Sequence, residues 1–278
     1  MMAFRSAILA GVLLAATAHP TSFQQQSSFE SDAPVGDIMQ RVVDRVVDQE
    51  ERGVELQFES RIVTQVDTLD KEGEVTKTET SLHRRYPLEG ELYEELIERD
   101  GQPLDARGRQ EERERREDFI REVRERNEDD DPIETNDERQ IEVDELLERF
   151  EASITGVDTL DGEECWVVEF VPRAGKLPEK TRLDGMLNRS SGRLYVSRSD
   201  YGVLFVEFQI QKPTRYFLGL ATLRNAAGRL EFERVETDVW LPKRFTFSTN
   251  VRILWRTTRR QIVREWVVRD RLDSAAAD

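Results

Sequence analysis

Cysteine is almost absent: Cys165 is the only one in 278 residues, and histidine occurs twice. A lone cysteine excludes an internal disulfide framework and any cysteine-cluster metal site. The chain contains no HExxH, CxxC or EF-hand pattern, no GxGxxG and no Walker A loop. The common sequence signatures of metal, dinucleotide and nucleotide chemistry are therefore missing, and no cofactor or metal is expected. No apolar run reaches the roughly 20 residues that span a bilayer. An excess of positive charge is lacking too: 57 Asp and Glu outnumber 41 Lys and Arg, for a formal net charge of −16. That balance argues against general nucleic-acid binding. What the chain has instead is charge itself, at 35 % of residues, where about 25 % is usual.

The one sizeable apolar run stands at the N-terminus. Met1 to Arg5 carry a single positive charge, SAILAGVLLA follows over 6–15, and Ala16-Thr17-Ala18 is a small-x-small cleavage signal. That order predicts a secretory signal peptide over 1–18 and a periplasmic location. A flexible leader rich in Ser, Gln and Pro follows over 19–34, then a single domain over 35–272 and a short tail over 273–278.

Gly36 to Arg52 reads as a helix, with Ile38, Val42, Val43, Val46 and Val47 on one face and Gly53 as its stop. Val54, Leu56, Phe58, Ile62 and Val66 then alternate with polar residues as a strand would. Asp70 to Gly73 is a turn; strands over 74–86 and 92–99 follow, the latter closed by Asp100-Gly101. Residues 105–151 differ in kind, with 30 charged positions out of 47. Arg107 to Arg126 predicts an exposed helix held by i,i+4 pairs and docked through Phe119, Ile120 and Val123. Thr135-x-x-Glu138 resembles a capping box for a second helix that buries Val143, Leu146, Leu147 and Phe150. From 152 onward the two-residue period fills the chain, with strands expected at 153–160, 164–171, 193–198, 203–211, 229–238, 243–255 and 259–270, and a helical turn over 183–188. Alternation of one apolar with one polar face belongs to an antiparallel sheet. The expected fold is α+β: a strongly curved antiparallel sheet of about ten strands, an unclosed β-barrel, with helices on its concave side and a charged helical insert over 105–151.

Little of this can do covalent chemistry. His83, in LHRRY, reads as a surface strand residue, and Cys165 as a small buried hydrophobe. Carboxylates are too numerous to single out a pair, so an enzyme is not expected and a secreted hydrolase is the weakest of three readings. Aromatic residues are more informative. Phe58, Trp166, Phe170, Phe208, Phe232, Phe245, Phe247 and Trp255 all fall in predicted strands. They either fill an ordinary core or line an apolar wall that holds a lipid, and both readings stay open. Burial of an acyl chain of about 16 carbons, at about 0.8 kcal/mol per methylene, supplies roughly 12 kcal/mol before ordering costs.

Three segments, DGEECWVVEFVPR (161–173), GRLYVSRSDYGVLFVEF (192–208) and VWLPKRFTF (239–247), together resemble the outer-membrane lipoprotein-sorting family of LolA-like carriers and their RseB-like relatives. LYEELIERDGQPLD (92–105) is similar to a variant subgroup of it. In the second segment Asp200-Tyr201-Gly202 makes the hairpin; in the third, Trp-Leu-Pro leads into a strand. The resemblance implies helices as a lid over an apolar cavity and a periplasmic carrier that binds the acyl chains of a lipoprotein or lipid. A membrane-associated donor or acceptor protein is the implied partner, and the expected state is a monomer. The alternative within the same resemblance is an RseB-like sensor that binds a protein partner through the charged insert.

Charge is unevenly spread. Residues 19–171 hold 45 acidic and 19 basic groups, whereas 172–272 hold 21 basic and 10 acidic. Arg252, Arg256, Arg259 and Arg260 are therefore candidates for contact with anionic headgroups or a partner's acidic surface. Pairing of these basic strands with the acidic insert is the competing expectation.

Overall fold

A computed structural model describes residues 33–128, 149–179, 182–210, 212–216 and 220–272. The expected signal peptide, most of the expected leader, the expected capping box and most of the expected second insert helix fall outside them. Helix α1 (Val35–Glu51) is followed by a 3-10 turn (Val54–Gln57) and strands β1 (Phe58–Leu69), β2 (Val75–Leu88), β3 (Glu91–Arg99) and β4 (Gln102–Pro103). Helix α2 (Ala106–Glu128) precedes β5 (Phe150–Leu160) and β6 (Glu163–Pro172), and the short α3 (Arg182–Leu187) precedes β7 (Ser190–Ser197) and β8 (Val203–Ile210). The chain ends in β9 (Thr214–Tyr216), β10 (Ala221–Glu236), β11 (Val239–Ile253) and β12 (Arg256–Arg271).

The twelve strands form one antiparallel sheet in the order β4-β3-β2-β1-β12-β11-β10-β8-β7-β6-β5, with β9 beside β10. Its two edges do not meet, so the curved sheet is an unclosed barrel. Two strands more than expected arise from β4 and β9, which are too short to show a period. Register shifts interrupt the β1/β12, β2/β3, β5/β6, β7/β8 and β10/β11 ladders. Each such bulge bends its strand and raises the local twist, which is how strands of up to 16 residues are made to curve. Two-residue turns at Glu89-Gly90 and Asp161-Gly162, both residues at positive φ, join consecutive strands, as mirror-image hairpin turns require.

Helix α1 stops where Gly53 takes a left-handed conformation (φ 56) and its N–H bonds the Glu50 carbonyl at 2.9 Å. Ile38, Val42 and Val43 are buried, but Val47 is exposed, one position past the edge of the apolar stripe. The stretch expected to begin the first strand, Val54 to Gln57, is the 3-10 turn instead; an alternating run of four residues fits either form. In α2, the Asp105 carboxylate accepts the Gly108 N–H at 2.7 Å, capping the first turn. Val123 is fully buried and Phe119 packs on Tyr93 with ring centroids 5.0 Å apart. Phe150 is buried as the first residue of β5 rather than the last of a helix. Beside it the Arg149 guanidinium, wholly buried, reaches Asp184 of α3 at 2.8 Å and donates to the Asn188 side chain and the Pro178 carbonyl.

Candidate functional site

Two of the three sequence segments meet at one polar contact. Asp200 opens the β7–β8 turn and accepts the Gly202 N–H at 2.9 Å, the Trp240 Nε1–H at 3.0 Å and the Arg45 guanidinium at 3.1 Å. Burial would raise the Asp200 carboxyl, but these donors and Arg234 hold it below its ordinary value. Gly202 is dictated by packing: a Cβ there would lie 1.9 Å from Trp240 Nε1. Gly192 is dictated likewise, since its Cβ would fall 1.8 Å from the Glu207 carbonyl oxygen and 2.8 Å from the Phe170 ring. These contacts tie β6, β7, β8 and β11 to α1, which also donates Arg41 over the Tyr201 ring.

Directly paired residues on neighbouring strands share a face, so the ladders trace one continuous surface. One row runs Phe170, Gly192, Phe208, Gly228, Phe247, Ile262, Val66, Glu79. The next runs Val168, Leu194, Val206, Leu230, Phe245, Arg264, Thr64, Ser81. On the β6-to-β10 side this face is closed: Trp166, Val168, Phe170, Leu194, Val206, Phe208 and Leu230 are buried in one cluster with Ile38 and Val42 of α1. Beyond it the same face continues through Phe245, Phe247, Ile262 and Val66, which are only half-buried. Phe245 stacks on Phe247 at 5.9 Å, and Phe247 lies 6.1 Å from Phe208, so the open stretch is continuous with the core.

The surface then turns polar. Arg264 donates to Glu94, which lies 3.7 Å from Arg85, and Arg85 donates to Glu55 at 2.6 Å. Burial pushes the Glu94 carboxyl up, yet Arg264 and Arg85 outweigh it and keep the group below its ordinary value. His83 pairs with Ile62, and Ile62 with Trp266, in the adjoining row. It is half-buried rather than a plain surface residue. Burial lowers its pKa, Glu94 opposes that and Arg264 adds to it. Thr64 Oγ1, His83 Nδ1 and Trp266 Nε1 are shielded from solvent with no hydrogen-bond partner among the described residues.

The predicted aromatic set therefore divides. Trp166, Phe170, Phe208 and Phe232 belong to the core beneath or beside α1. Phe58 sits apart, in a small cluster with Val54, Val239 and Leu241. Phe245 and Phe247 remain on the open stretch, joined there by Val66, which its two-residue period already placed on an apolar strand face, and by Ile262 and Trp266, which sequence reasoning missed because charged Arg264 interrupts their alternation. Trp255 is not on this face at all: it stands at the β11–β12 turn, 88 % exposed. Arg252, Arg256, Arg259 and Arg260 have no carboxylate partner among the described residues; Arg259 donates to the Asp70 carbonyl at 2.7 Å. The basic strands that do pair use acids of the sheet, Arg269 with Glu233 and Arg271 with Glu236, not those of α2. Cys165 is fully buried, and burial pushes its thiol to about 11.

Helix α2 lies on the other side of the β2–β3 edge. Tyr93, which it covers, is adjacent in β3 to Glu94 and so points to the opposite face. The charged insert, over its described part, does not close the open stretch. Among the described residues no group of three or more His, Cys, Asp or Glu side chains is placed to hold a metal ion, and no helix is long and apolar enough to cross a membrane.

The fold thus defines a half-barrel with a helix seated on part of one face. No protein-family model matches the chain, and no curated protein matches it. Among solved structures it is similar to a LolA superfamily protein from Nitrosomonas europaea, at 9 % identity over 84 % of this chain and 94 % of that one, with a TM-score of 0.36. It is also similar to an outer membrane lipoprotein-sorting protein domain from Vibrio parahaemolyticus (10 % identity, 86 % and 95 % covered, TM-score 0.33). A third is the MucA/MucB complex of Pseudomonas aeruginosa (11 % identity, 86 % and 99 % covered, TM-score 0.25). The first two of these structures bear the name of the family that the sequence resembles.

Proposed function

We propose that the chain is a periplasmic binding protein that lays the acyl chain of a lipid or lipoprotein along the open stretch of the helix-bearing face. The observation that carries this reading is the incomplete burial: α1 closes the face over β6 to β10, Met186 of α3 packs on the small cluster that Phe247 also joins, and Phe245, Phe247, Ile262 and Val66 continue the face only half-buried. Half-buried aromatic and aliphatic side chains in a continuous row suit an apolar chain better than a polar one. The charged end, Arg264–Glu94–Arg85–Glu55, sets a limit to how far the apolar part extends. Beside it, Thr64, His83 and Trp266 offer unpaired donors and acceptors to a carbonyl or hydroxyl of the cargo. Leaving such a buried group unpaired costs about 1–3 kcal/mol, which a bound polar group would recover. In this reading the signal peptide at 1–18 delivers the chain across the inner membrane, and the role is carriage rather than catalysis.

Solvent extraction of the purified full chain followed by mass spectrometry tests the proposal. A stoichiometric lipid or acylated peptide is expected. Empty protein that also fails to take up a fluorescent fatty acid would overturn it.

A further inference from the structure

The turn between β11 and β12 presents Ile253, Leu254 and Trp255, and the start of β10 presents Leu220 against them: the Leu254 N–H donates to the Leu220 carbonyl at 2.7 Å. All four side chains face water, at 57, 46, 88 and 56 % exposure respectively for Ile253, Leu254, Trp255 and Leu220. Apolar residues scattered singly on a surface need no explanation, but four together at one tip do. The backbone adds to the case. Leu254 holds φ at 54°, a left-handed conformation that a leucine adopts rarely and at a cost. Asn or Gly would make this two-residue turn without strain, so its leucine and tryptophan call for a reason other than the turn itself.

The surroundings are of one sign. Residues 211–224 and 250–260 contain Lys212, Arg215, Arg224, Arg252, Arg256, Arg259 and Arg260 and not one acid. Arg252 pairs across the ladder with Thr222, and Thr222 with Arg215. Arg256 pairs with Ile253 in the next row, so the two arginine positions flanking the turn point to opposite faces of the hairpin. At about 3.3 Å per strand residue, Arg252, Arg256 and Arg215 lie only one or two residue lengths behind the apolar tip, and Arg224, Arg259 and Arg260 four or five. In the neighbouring β1–β2 turn, next to the Leu69–Arg259 pair, Asp70 is engaged by the amides of Glu72 and Glu74, and Glu72 by Lys71.

We infer that this tip docks on an anionic bilayer surface, with Trp255, Leu254, Ile253 and Leu220 entering the interface and the arginine collar meeting lipid phosphates. Tryptophan partitions to the boundary between headgroups and acyl chains, where its ring is apolar and its N–H stays wet. A collar set just behind such residues matches interfacial insertion of about 5–10 Å. The contact is independent of whether the open stretch of the sheet holds cargo, and it gives Arg252 and Arg256 a role that ion pairing within the described chain does not.

The test is co-sedimentation of the full chain with vesicles of phosphatidylglycerol and phosphatidylcholine, compared with phosphatidylcholine alone. Binding is expected to the anionic vesicles, to fall about fivefold for each arginine replaced in Arg252→Gln and Arg256→Gln, and to weaken between about 0.1 and 0.5 M salt. The variant Leu254→Ser/Trp255→Ser, checked for native circular dichroism, should lose binding at least tenfold. Wild-type binding by that folded variant would overturn the inference. So would absence of binding by the wild type, or self-association through the tip, seen as a concentration-dependent mass that the double variant abolishes while vesicle binding stays nil.

Discussion

Phe208 and Phe247 are neighbours on one face with opposite expected roles, and replacing each with alanine separates core from wall. Phe208 is wholly buried beneath α1, in contact with the largest apolar cluster. Its truncation removes a full aromatic side chain and leaves a cavity, at a cost of about 3–5 kcal/mol, a large part of the roughly 5–15 kcal/mol that holds a domain together. Phe247 lies 6.1 Å away and is only half-buried. Losing it should cost about 1–2 kcal/mol of stability, because much of its ring is already in water. An acyl chain lying on that ring would lose contact with about 50 Å² of apolar surface, or about 1.2 kcal/mol, and bind roughly tenfold more weakly. Urea titration with circular dichroism gives the first pair of numbers, and displacement of a fluorescent fatty acid gives the second. The reasoning fails if Phe247→Ala is as destabilised as Phe208→Ala while fatty-acid affinity is unchanged; Phe247 would then be core.

Asp184→Asn should cost about 3–5 kcal/mol in urea denaturation, since it neutralises a wholly buried carboxylate that the Arg149 guanidinium meets at 2.8 Å; a loss below about 1 kcal/mol would show that the pair is not buried as described. Gly202→Ala drives a methyl group into the Trp240 indole, so it should break the bond to Asp200, cost about 2–4 kcal/mol and alter the near-ultraviolet circular dichroism. An unchanged spectrum and melt would count against that contact. His83 is held below its ordinary pKa by burial, against the pull of Glu94. The unfolded chain therefore binds the extra proton first, and stability falls as pH drops below the unfolded value of about 6.5. Urea midpoints measured at about pH 7.5 and about pH 5.5 should differ less in His83→Gln than in the wild type; equal slopes would remove His83 as the cause.

Strand alternation made most of this architecture legible. The Asp161-Gly162 turn, α1 with its Gly53 stop, and the Asp200-Tyr201-Gly202 hairpin all carry local chemistry that admits few alternatives. The failures are equally local. Residues 243–255 alternate up to Trp255, and no Gly, Asn or Pro stands at 251–255 to mark a turn, so a two-residue period carries Trp255 into the sheet. The turn is made instead by Leu254 at positive φ, which no propensity announces. Phe58 alternates correctly but faces Val54, Val239 and Leu241 rather than the main core, a matter of sheet twist that period two does not report. Core and open wall look alike in sequence, because Phe208 and Phe247 stand in the same alternating pattern and differ only in how far their neighbours bury them. The open stretch was harder still: Ile262 and Trp266 flank Arg264, and a charged residue on an inner face makes sense only once Glu94 is brought to it from β3.

The central claim is that an apolar chain lies on the uncovered part of the helix-bearing face. A photoreactive fatty acid, bound to the full chain, irradiated and mapped by peptide mass spectrometry, tests this most directly. Labelling should concentrate on β11 and β12 at residues 245–247 and 262–266, with Val66 of β1, and a non-reactive fatty acid should compete it away. Labelling that falls instead on the hairpin tip at 253–255, or on α2, or that competitor does not reduce, would contradict the account.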